Sequence, residues 1–571
     1  MKDIKDSKWL RSDLAKAVIL NLFYMVLTVL LFEQFATYDD YTMAVQYAGG
    51  IGDSYVVGQT FVNPLYGKMI VMLNKWLPMF PWFNIILFFV QFVGLVLVTE
   101  MILEHYQGMM GNVVCHLILL FFSYEAYAGT CFTKAAGITA ACSLFFLLYE
   151  DKHYIQKIIA WILLGIAILL RDSVVIMTCG IAIVFLIYLM MRVICIDKKK
   201  IGKKPVLKSG IIFIVCMILY VGLSEKTLWF DADTCSNLNQ QVEDNRLRAQ
   251  FQDYPIPSYE ENKEAYEQIG LSKNDIYLFR QWNYDRHKLT ETIYDLINMD
   301  SDGNIITKAL SFENITSFFK SYPKNLLDMD VVFCLLGVMA LLLLSCRREK
   351  QKRFWIRCGF VTLLNLGLMY YFFIGGRYNQ HRVDVAVELA LILGMITLCD
   401  ETEISQTYLY EKKRVIMLWS VLAFSLVPYT FHDDFHWGAI SDYHKEELVA
   451  FDDYMVEDKE HFYLLTYTGN DIDIFKMYSL WGVTRENYKD RYTNTSMVAN
   501  FYDDDYIVEY GIHDLYLDAV DSDTIRVVLS ENNPDLNRWK KYFEERCGYK
   551  VKMKLVREGQ GKRVYQVVNA C

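Results

Sequence analysis

The sequence predicts a polytopic α-helical membrane protein with about eleven transmembrane helices, and three observations carry that expectation. Hydrophobic residues make up 54% of the 571 residues and aromatics 15%. Long apolar runs recur, each close to the roughly 20 residues that cross a bilayer as a helix. Lys and Arg gather in clusters that all fall on one face once the spans are threaded in order, as basic residues kept on the cytoplasmic side would.

The apolar runs place spans near 14–36, 80–103, 110–127, 130–149, 155–171, 173–194, 209–225, 328–346, 355–375, 384–399 and 412–430. Lys2, Lys5, Lys8 and Arg11 precede the first, and Lys198, Lys199, Lys200, Lys203, Lys204 and Lys208 fill the loop after the sixth. Arg347, Arg348, Lys350, Lys352 and Arg353 follow the eighth, and Lys412, Lys413 and Arg414 precede the eleventh. One miscounted span would scatter these clusters over both faces, so their agreement supports the count. The N-terminus is then cytoplasmic and the C-terminus extracytoplasmic. The first span is too long and too aromatic for a removable signal peptide and lacks a small-residue cleavage site, so it is expected to stay as an anchor.

Four segments follow: a membrane core over 1–225 with a long first external loop at 37–79, an external insertion over 226–327, further spans over 328–430, and an external domain over 431–571. The last segment holds 27 Asp and Glu against 17 Lys and Arg, an excess equal to the net charge of −10 of the whole chain. A negative exterior excludes nucleic acid as a partner, since that needs a basic footprint. Helix and strand signals alternate in it. His444–Glu457, Asp471–Leu480 and Pro534–Glu545 read as helices, Phe462–Tyr467 and Thr524–Leu529 as strands, and Val551–Glu558 with Arg563–Val568 as a terminal hairpin around Gly559-Gln560-Gly561. This is a small α/β domain. The 226–327 insertion is mostly helical and polar, and its aromatics, among them Tyr254, Tyr259, Tyr266, Tyr277, Trp282 and Tyr284, fit contact with the membrane domain better than stacking on sugar rings. The thirteen cysteines show no metal-ligand spacing, and most lie in spans as small apolar residues.

The chemistry is expected at the outer membrane face. Tyr38-Asp39-Asp40-Tyr41 follows the first span directly, and a pair of carboxylates at a membrane boundary is costly unless something compensates the lost hydration. Behind it come a glycine-rich turn, Gly49-Gly50-Ile51-Gly52-Asp53, and an amphipathic stretch opened by Asn63-Pro64-Leu65-Tyr66-Gly67, a shelf suited to a lipid-borne substrate. Other charges sit at outer span ends: Glu125 with Lys134 nearby, Arg171-Asp172 at a tight turn between spans five and six, and Arg377 and Arg382 flanking Tyr378-Asn379-Gln380-His381. Arg binds phosphate oxygens in a bidentate fork, so acids and arginines at one depth suggest a phosphate-linked substrate.

With those residues the chain resembles the polytopic GT-C glycosyltransferases, which take sugars from polyprenyl-phosphate carriers, and within them the bacterial cell-envelope members. The resemblance covers 1–430 and is weak over 431–571. It implies that Asp39 or Asp40 is the catalytic carboxylate, that Glu125 takes the place of the second external-loop acid, and that Lys134, Arg171, Arg377 and Arg382 hold the carrier phosphate. The partners it implies are a polyprenyl-phosphate-linked sugar donor, an envelope glycan or lipid acceptor, and membrane lipids, in a multi-pass protein of the bacterial plasma membrane. The carrier supplies the activated leaving group, so no nucleotide pocket is required; a divalent metal is compatible with the acids, although Glu125 has no paired acid beside it. The competing readings are a carrier or flippase for lipid-linked sugars, which would place charges near the midplane and show repeats, and a polysaccharide polymerase or ligase, which would set its main loop later in the chain.

Overall fold

The computed structural model of the chain describes residues 12–570 apart from 32–33, 52–56, 60, 107, 150–152, 192–202, 254–255, 257, 282, 284, 286–287, 289–311, 328–329, 376–379, 400–448, 467–477, 497–504, 509, 531–534 and 560. The expected eleventh span at 412–430 lies outside these residues, as does Arg377. Among the described residues, seven helices are long and apolar enough to cross a membrane by length and composition.

In chain order the helices are α1 (Asp13–Leu31), α2 (Tyr38–Tyr47), α3 (Pro64–Trp76), α4 (Trp82–His105), α5 (Met109–Tyr127), α6 (Phe132–Tyr149), α7 (Tyr154–Met191) and α8 (Lys203–Ser224). After α8 come α9 (Ala232–Asp253), α10 (Lys263–Gln268), α11 (Lys273–Arg280), α12 (Phe312–Leu327), α13 (Asp330–Ser345), α14 (Gln351–Ile374) and α15 (His381–Leu398). The expected eighth span is the 16-residue α13, and the tenth is α15, which carries Arg382, Asp384 and Glu388. Helix α6 is buried on every side and forms the centre of the bundle, because its Ala, Gly, Thr and Cys side chains let neighbours close in. The Cβ that Gly137 lacks would stand 2.4 Å from that of Ala386 on α15. Peripheral helices instead turn apolar side chains outward, such as Phe23 and Leu30 on α1 and Ile214 and Ile218 on α8.

Helix α7 is two antiparallel halves. The backbone leaves helical values at Arg171 (φ −162°, ψ 90°). Arg171 lies against Phe132 at the start of α6, whereas Trp161 shares a cavity with Leu147 and Phe185 packs on Phe145, both near the other end of α6. A straight helix would separate Trp161 from Phe185 by about 36 Å at 1.5 Å per residue, so the chain must reverse at Arg171. This is the tight turn expected between spans five and six.

The C-terminal segment forms a five-stranded sheet with strands β3 (Phe462–Leu465), β4 (Thr495–Ser496), β5 (Ile525–Ser530), β6 (Val551–Gly559) and β7 (Lys562–Asn569) in the order β4-β3-β5-β7-β6; β1 (Gln34–Phe35) and β2 (Gly129–Thr130) belong to the helical bundle. β3 is parallel to β4 and β5, and the β6–β7 hairpin adds antiparallel strands. Helix α16 (Leu536–Cys547) covers it through Trp539, Tyr542 and Phe543. The expected strands and terminal hairpin are present within a residue or two. The helix expected over Asp471–Leu480 is outside the described residues up to 477, and 478–480 are not helical.

Of the aromatics named in the 226–327 insertion, Tyr277 finds a different partner from the one expected, Tyr259 stacks on Tyr266, and Tyr254, Trp282 and Tyr284 lie outside the described residues. Tyr277 donates to Asp535 (2.7 Å) beneath the Arg538 guanidinium, Leu278 enters the core of the C-terminal sheet, and Asp285 accepts from Tyr542 (2.5 Å) and pairs with Arg546 (3.0 Å). The insertion is therefore packed on the C-terminal domain, not on the membrane helices, at these positions.

Candidate active site

The loop between α1 and α4 is fastened at three points, and each fastening explains one of its sequence motifs. β1 (Gln34–Phe35) lies parallel to β2 (Gly129–Thr130), which draws the Asp39-Asp40 turn against the link between α5 and α6. Asn63 caps α3 by accepting from the Leu65 N–H (2.9 Å), donates its amide to the Leu223 carbonyl (2.8 Å) and its backbone N–H to Leu169 (2.8 Å), two residues before the α7 reversal. Pro64 suits the first helical turn, where its missing N–H has no partner to lose. Gly67 is required by contact: a Cβ there would lie 2.1 Å from the Val57 carbonyl.

The third fastening comes from the C-terminal domain. Asp490 and Tyr492 donate backbone N–H groups to the Gly49 and Gly50 carbonyls (2.9 and 2.7 Å), and a Cβ on Gly50 would stand 2.9 Å from the Tyr488 carbonyl. On α2, Tyr41 stacks on Tyr478 and its hydroxyl bonds that of Tyr492 (2.8 Å), which donates to Asp452 (3.0 Å); Arg491 binds Asp452 and Asp453 (2.7 and 2.8 Å). The glycine-rich turn is thus a docking seat and holds α2 from behind.

The two adjacent acids face different surroundings. Asp40 is fully buried. Its Oδ2 accepts the Thr37 hydroxyl (2.5 Å) and its Oδ1 the Phe132 N–H (2.8 Å), which ties the N-cap of α2 to the start of α6. Asp39, 28% exposed, points to the open side, where its carboxylate lies 3.6 Å from the Arg382 guanidinium on α15.

Burial pushes the Asp40 carboxyl from 3.8 up to about 6, against the opposing pull of the hydrogen bonds from Thr37 and Phe132. A folded-state value above the unfolded one means that the folded chain holds the extra proton. The stability contributed by the neutral acid is complete below 3.8 and is lost as pH rises through about 6. The thermal midpoint of the purified protein should therefore carry a downward component between pH 4 and 7, and Asp40→Asn should flatten it. A fall of equal depth in the variant would assign it to other groups.

Arg171, at the α7 reversal, sits 4.8 Å from the centre of the Phe61 ring and 5.7 Å from that of Phe132. Through Phe132, whose N–H also binds Asp40, Arg171 stands at the end of the bundle where Arg382 meets the accessible Asp39 carboxylate. Glu125 and Lys134 stand just inside this group. Glu125, 1% exposed, is held by Lys134 (2.6 Å) and by His381 Nε2 at 3.0 Å from both its oxygens, while Lys134 also donates to the Gly129 carbonyl (3.1 Å). The structure therefore brings together Asp39, Asp40, Glu125, Lys134, Arg171 and Arg382 at one end of the bundle. The basic residues Arg347, Arg348 and Lys350 lie at the opposite end, next to Ser345, whose hydroxyl meets Met110 at the start of α5.

His381 is legible in the sequence only as part of the turn that Arg377 and Arg382 flank, and two further acids of α15 carry no signal of their own there. Asp384 and Glu388 are buried on α15 one and two turns below His381; Glu388 accepts from Asn365 (2.6 Å). The spacing 381, 384, 388 puts all three on one helical face, a signal legible in principle. For a metal, the described residues that come close enough to share an ion are Glu100, Glu104 and His153, at the other end of α4 from Asp39. Both Asp40 oxygens are committed to protein donors.

No family model matches the sequence, and no curated protein matches it. Two solved structures are similar to it along nearly the full chain. One is the crystal structure of ArnT from Cupriavidus metallidurans in the apo state, with a TM-score of 0.37, 11% identity, and 96% of this chain and 97% of that chain covered. The other is the same protein bound to undecaprenyl phosphate, with a TM-score of 0.33, 9% identity, and the same coverage.

Proposed function

We propose that the chain is a membrane glycosyltransferase of the GT-C type, which moves a sugar from a polyprenyl-phosphate carrier to an envelope glycan or lipid acceptor on the outer face of the bacterial plasma membrane. The observation that carries this reading is the accessible Asp39 carboxylate 3.6 Å from the Arg382 guanidinium, with Arg171 against Phe132 at the same end of the bundle. Asp39 takes the proton of the acceptor hydroxyl as its oxygen attacks the anomeric carbon of the donor. The bond from that carbon to the phosphate oxygen breaks, and its electron pair leaves with the carrier phosphate. Arg382 and Arg171 hold the phosphate and stabilise the charge that grows on it. The carrier itself is the activated leaving group, so the reaction calls for no nucleotide.

The remaining residues act through these. Asp40 positions α2, and the Lys134–Glu125–His381 group positions α15, on which Arg382 follows His381 directly. Arg377, outside the described residues, is proposed as a third phosphate ligand from its place in the sequence. Segments 1–225 and 328–430 supply the transferase core with a cytoplasmic N-terminus, and 226–327 and 431–571 the external part.

The decisive experiment follows purified protein in proteoliposomes that contain lipid-linked sugar from the host envelope. Sugar lost from the carrier together with free polyprenyl phosphate supports transfer. Lipid-linked sugar that changes leaflet while the linkage stays intact would establish the flippase reading instead. In the same assay Arg382→Ala should raise KM for the carrier about tenfold to a hundredfold, the size of a lost charge-assisted hydrogen bond. Arg382→Lys should fall between, since the charge stays and the planar fork goes. An unchanged KM in both variants would remove Arg382 from the phosphate site.

A further inference from the structure

The sheet of the C-terminal domain ends on an open strand. In the order β4-β3-β5-β7-β6, the nine-residue β6 has a neighbouring strand on one side only. The Ala570 N–H donates to the Lys550 carbonyl (3.0 Å), and Lys552 and Lys554 stand opposite Val568 and Gln566, so these lysines turn their backbone groups to β7. The odd-numbered residues between them turn theirs outward. Glu544 on α16 accepts from the Val551 N–H (3.4 Å) and closes the start of this edge. Beyond it, Met553 and Leu555 present N–H and C=O groups that meet no partner among the described residues.

The side chains along the edge form two rows. Val551 and Met553 join the core under α16, and Leu555 continues their row at 45% exposed, next to Val556, the extra residue of a bulge, at 50%. Lys552 and Lys554 alternate with these on the opposite face, and both are exposed. No carboxylate pairs with either among the described residues, in contrast to Lys550, which Glu544 holds at 3.1 Å.

We infer that β6 is a docking edge for an extended segment of another protein in which acidic and apolar residues alternate, added to the sheet as a further strand. Its backbone pairs with Met553 and Leu555, its apolar residues extend the row over Leu555 and Val556, and its acids meet Lys552 and Lys554. Charge complementarity chooses this occupant. A second copy of the chain offers the same edge, and antiparallel pairing about Met553 would set Lys552 of each copy against Lys554 of the other. Like charges directly opposite destabilise such a pair, and edge lysines are a common guard against self-association. An acidic strand turns the same two ammonium groups into an attraction. Docking at this edge is independent of the transfer reaction.

Hydrogen–deuterium exchange of the full chain in detergent, with a nine-residue peptide of alternating valine and glutamate or with its lysine counterpart, tests this. The glutamate peptide at saturation should slow amide exchange over 551–559 about tenfold or more, and the lysine peptide should not. Lys552→Glu/Lys554→Glu should weaken binding of the glutamate peptide about tenfold or more and favour the lysine peptide instead. Leu555→Pro removes one outward N–H at an edge that tolerates proline, and should lose the protection while the rest of the chain exchanges as before. Protection by both peptides alike would reduce the edge to unselective strand pairing, and protection by neither would leave it a guarded edge; either overturns the inference. Undiminished binding of the glutamate peptide by the double variant would exclude the lysines, and undiminished protection in Leu555→Pro would place the peptide elsewhere; both overturn it. Slow exchange over 551–559 without peptide, lost on dilution, would assign the edge to a second copy and overturn it as well.

Discussion

Asp39→Asn should abolish sugar transfer, with a loss of about 10²–10⁴-fold, the usual worth of a positioned general base. The change is nearly isosteric and keeps an acceptor oxygen 3.6 Å from Arg382, so it removes basicity with little change of shape. Asp40→Asn should cost far less. The Asn carbonyl can still accept the Phe132 N–H, and the Thr37 hydroxyl can rotate to accept from the new amide, so the tie between α2 and α6 survives. Initial rates on the donor lipid, with the amount of folded protein matched by size exclusion, check both. The assignment fails if Asp39→Asn keeps near-normal rates, or if Asp40→Asn proves the more damaging of the two.

Glu125→Ala should be the most destabilising single change, at about 3–5 kcal/mol, because it leaves the Lys134 ammonium buried without its carboxylate. His381 loses its acceptor as well, and Arg382 beside it loses its placement. The double change Glu125→Ala/Lys134→Met should recover much of the lost stability, since it removes the orphaned charge along with its partner. Thermal midpoints of the three variants in one detergent decide the matter. If Glu125→Ala melts like the unaltered protein, the ion pair does not hold α15, and Glu125 is free to take the place of a second catalytic acid that the family resemblance implies. If the single variant is weak and the double variant is no better, the loss comes from packing and not from charge.

Transfer and stability are thus expected to separate within one cluster. Asp39 and Arg382 are accessible and loosely paired at 3.6 Å, an arrangement that a substrate can enter. Glu125 and Lys134 are buried and close at 2.6 Å, an arrangement that costs much to open. The C-terminal domain belongs to the same device: through Tyr492, Asp452 and the Gly49-Gly50 seat it holds the back of α2, whose first turn carries Asp39.

The sequence by itself determined the helical stretches of the described bundle, the acid pair that follows the first of them, and the basic run Arg347, Arg348 and Lys350 that the structure sets at the other end. These follow from local composition: an apolar run of sufficient length must become a helix to satisfy its backbone in lipid, whatever its neighbours are. The strands of the C-terminal sheet were legible for a similar reason, since alternation and turn residues act over short range. Tertiary structure alone decided how the acids divide their work. Asp39 and Asp40 are adjacent and identical in kind, and only the arrival of Phe132 from α6 and of Arg382 from α15 makes one a buried tie and the other an open carboxylate. The same holds for Glu125 and Lys134, legible as charges at span ends but not as a closed pair under His381, and for Tyr277, whose partner was the C-terminal domain and not the membrane core. Ionisation, accessibility and pairing depend on what lies within a few ångströms in space, and residues 40 and 132, 39 and 382, or 277 and 535 reach that separation only after the chain has folded.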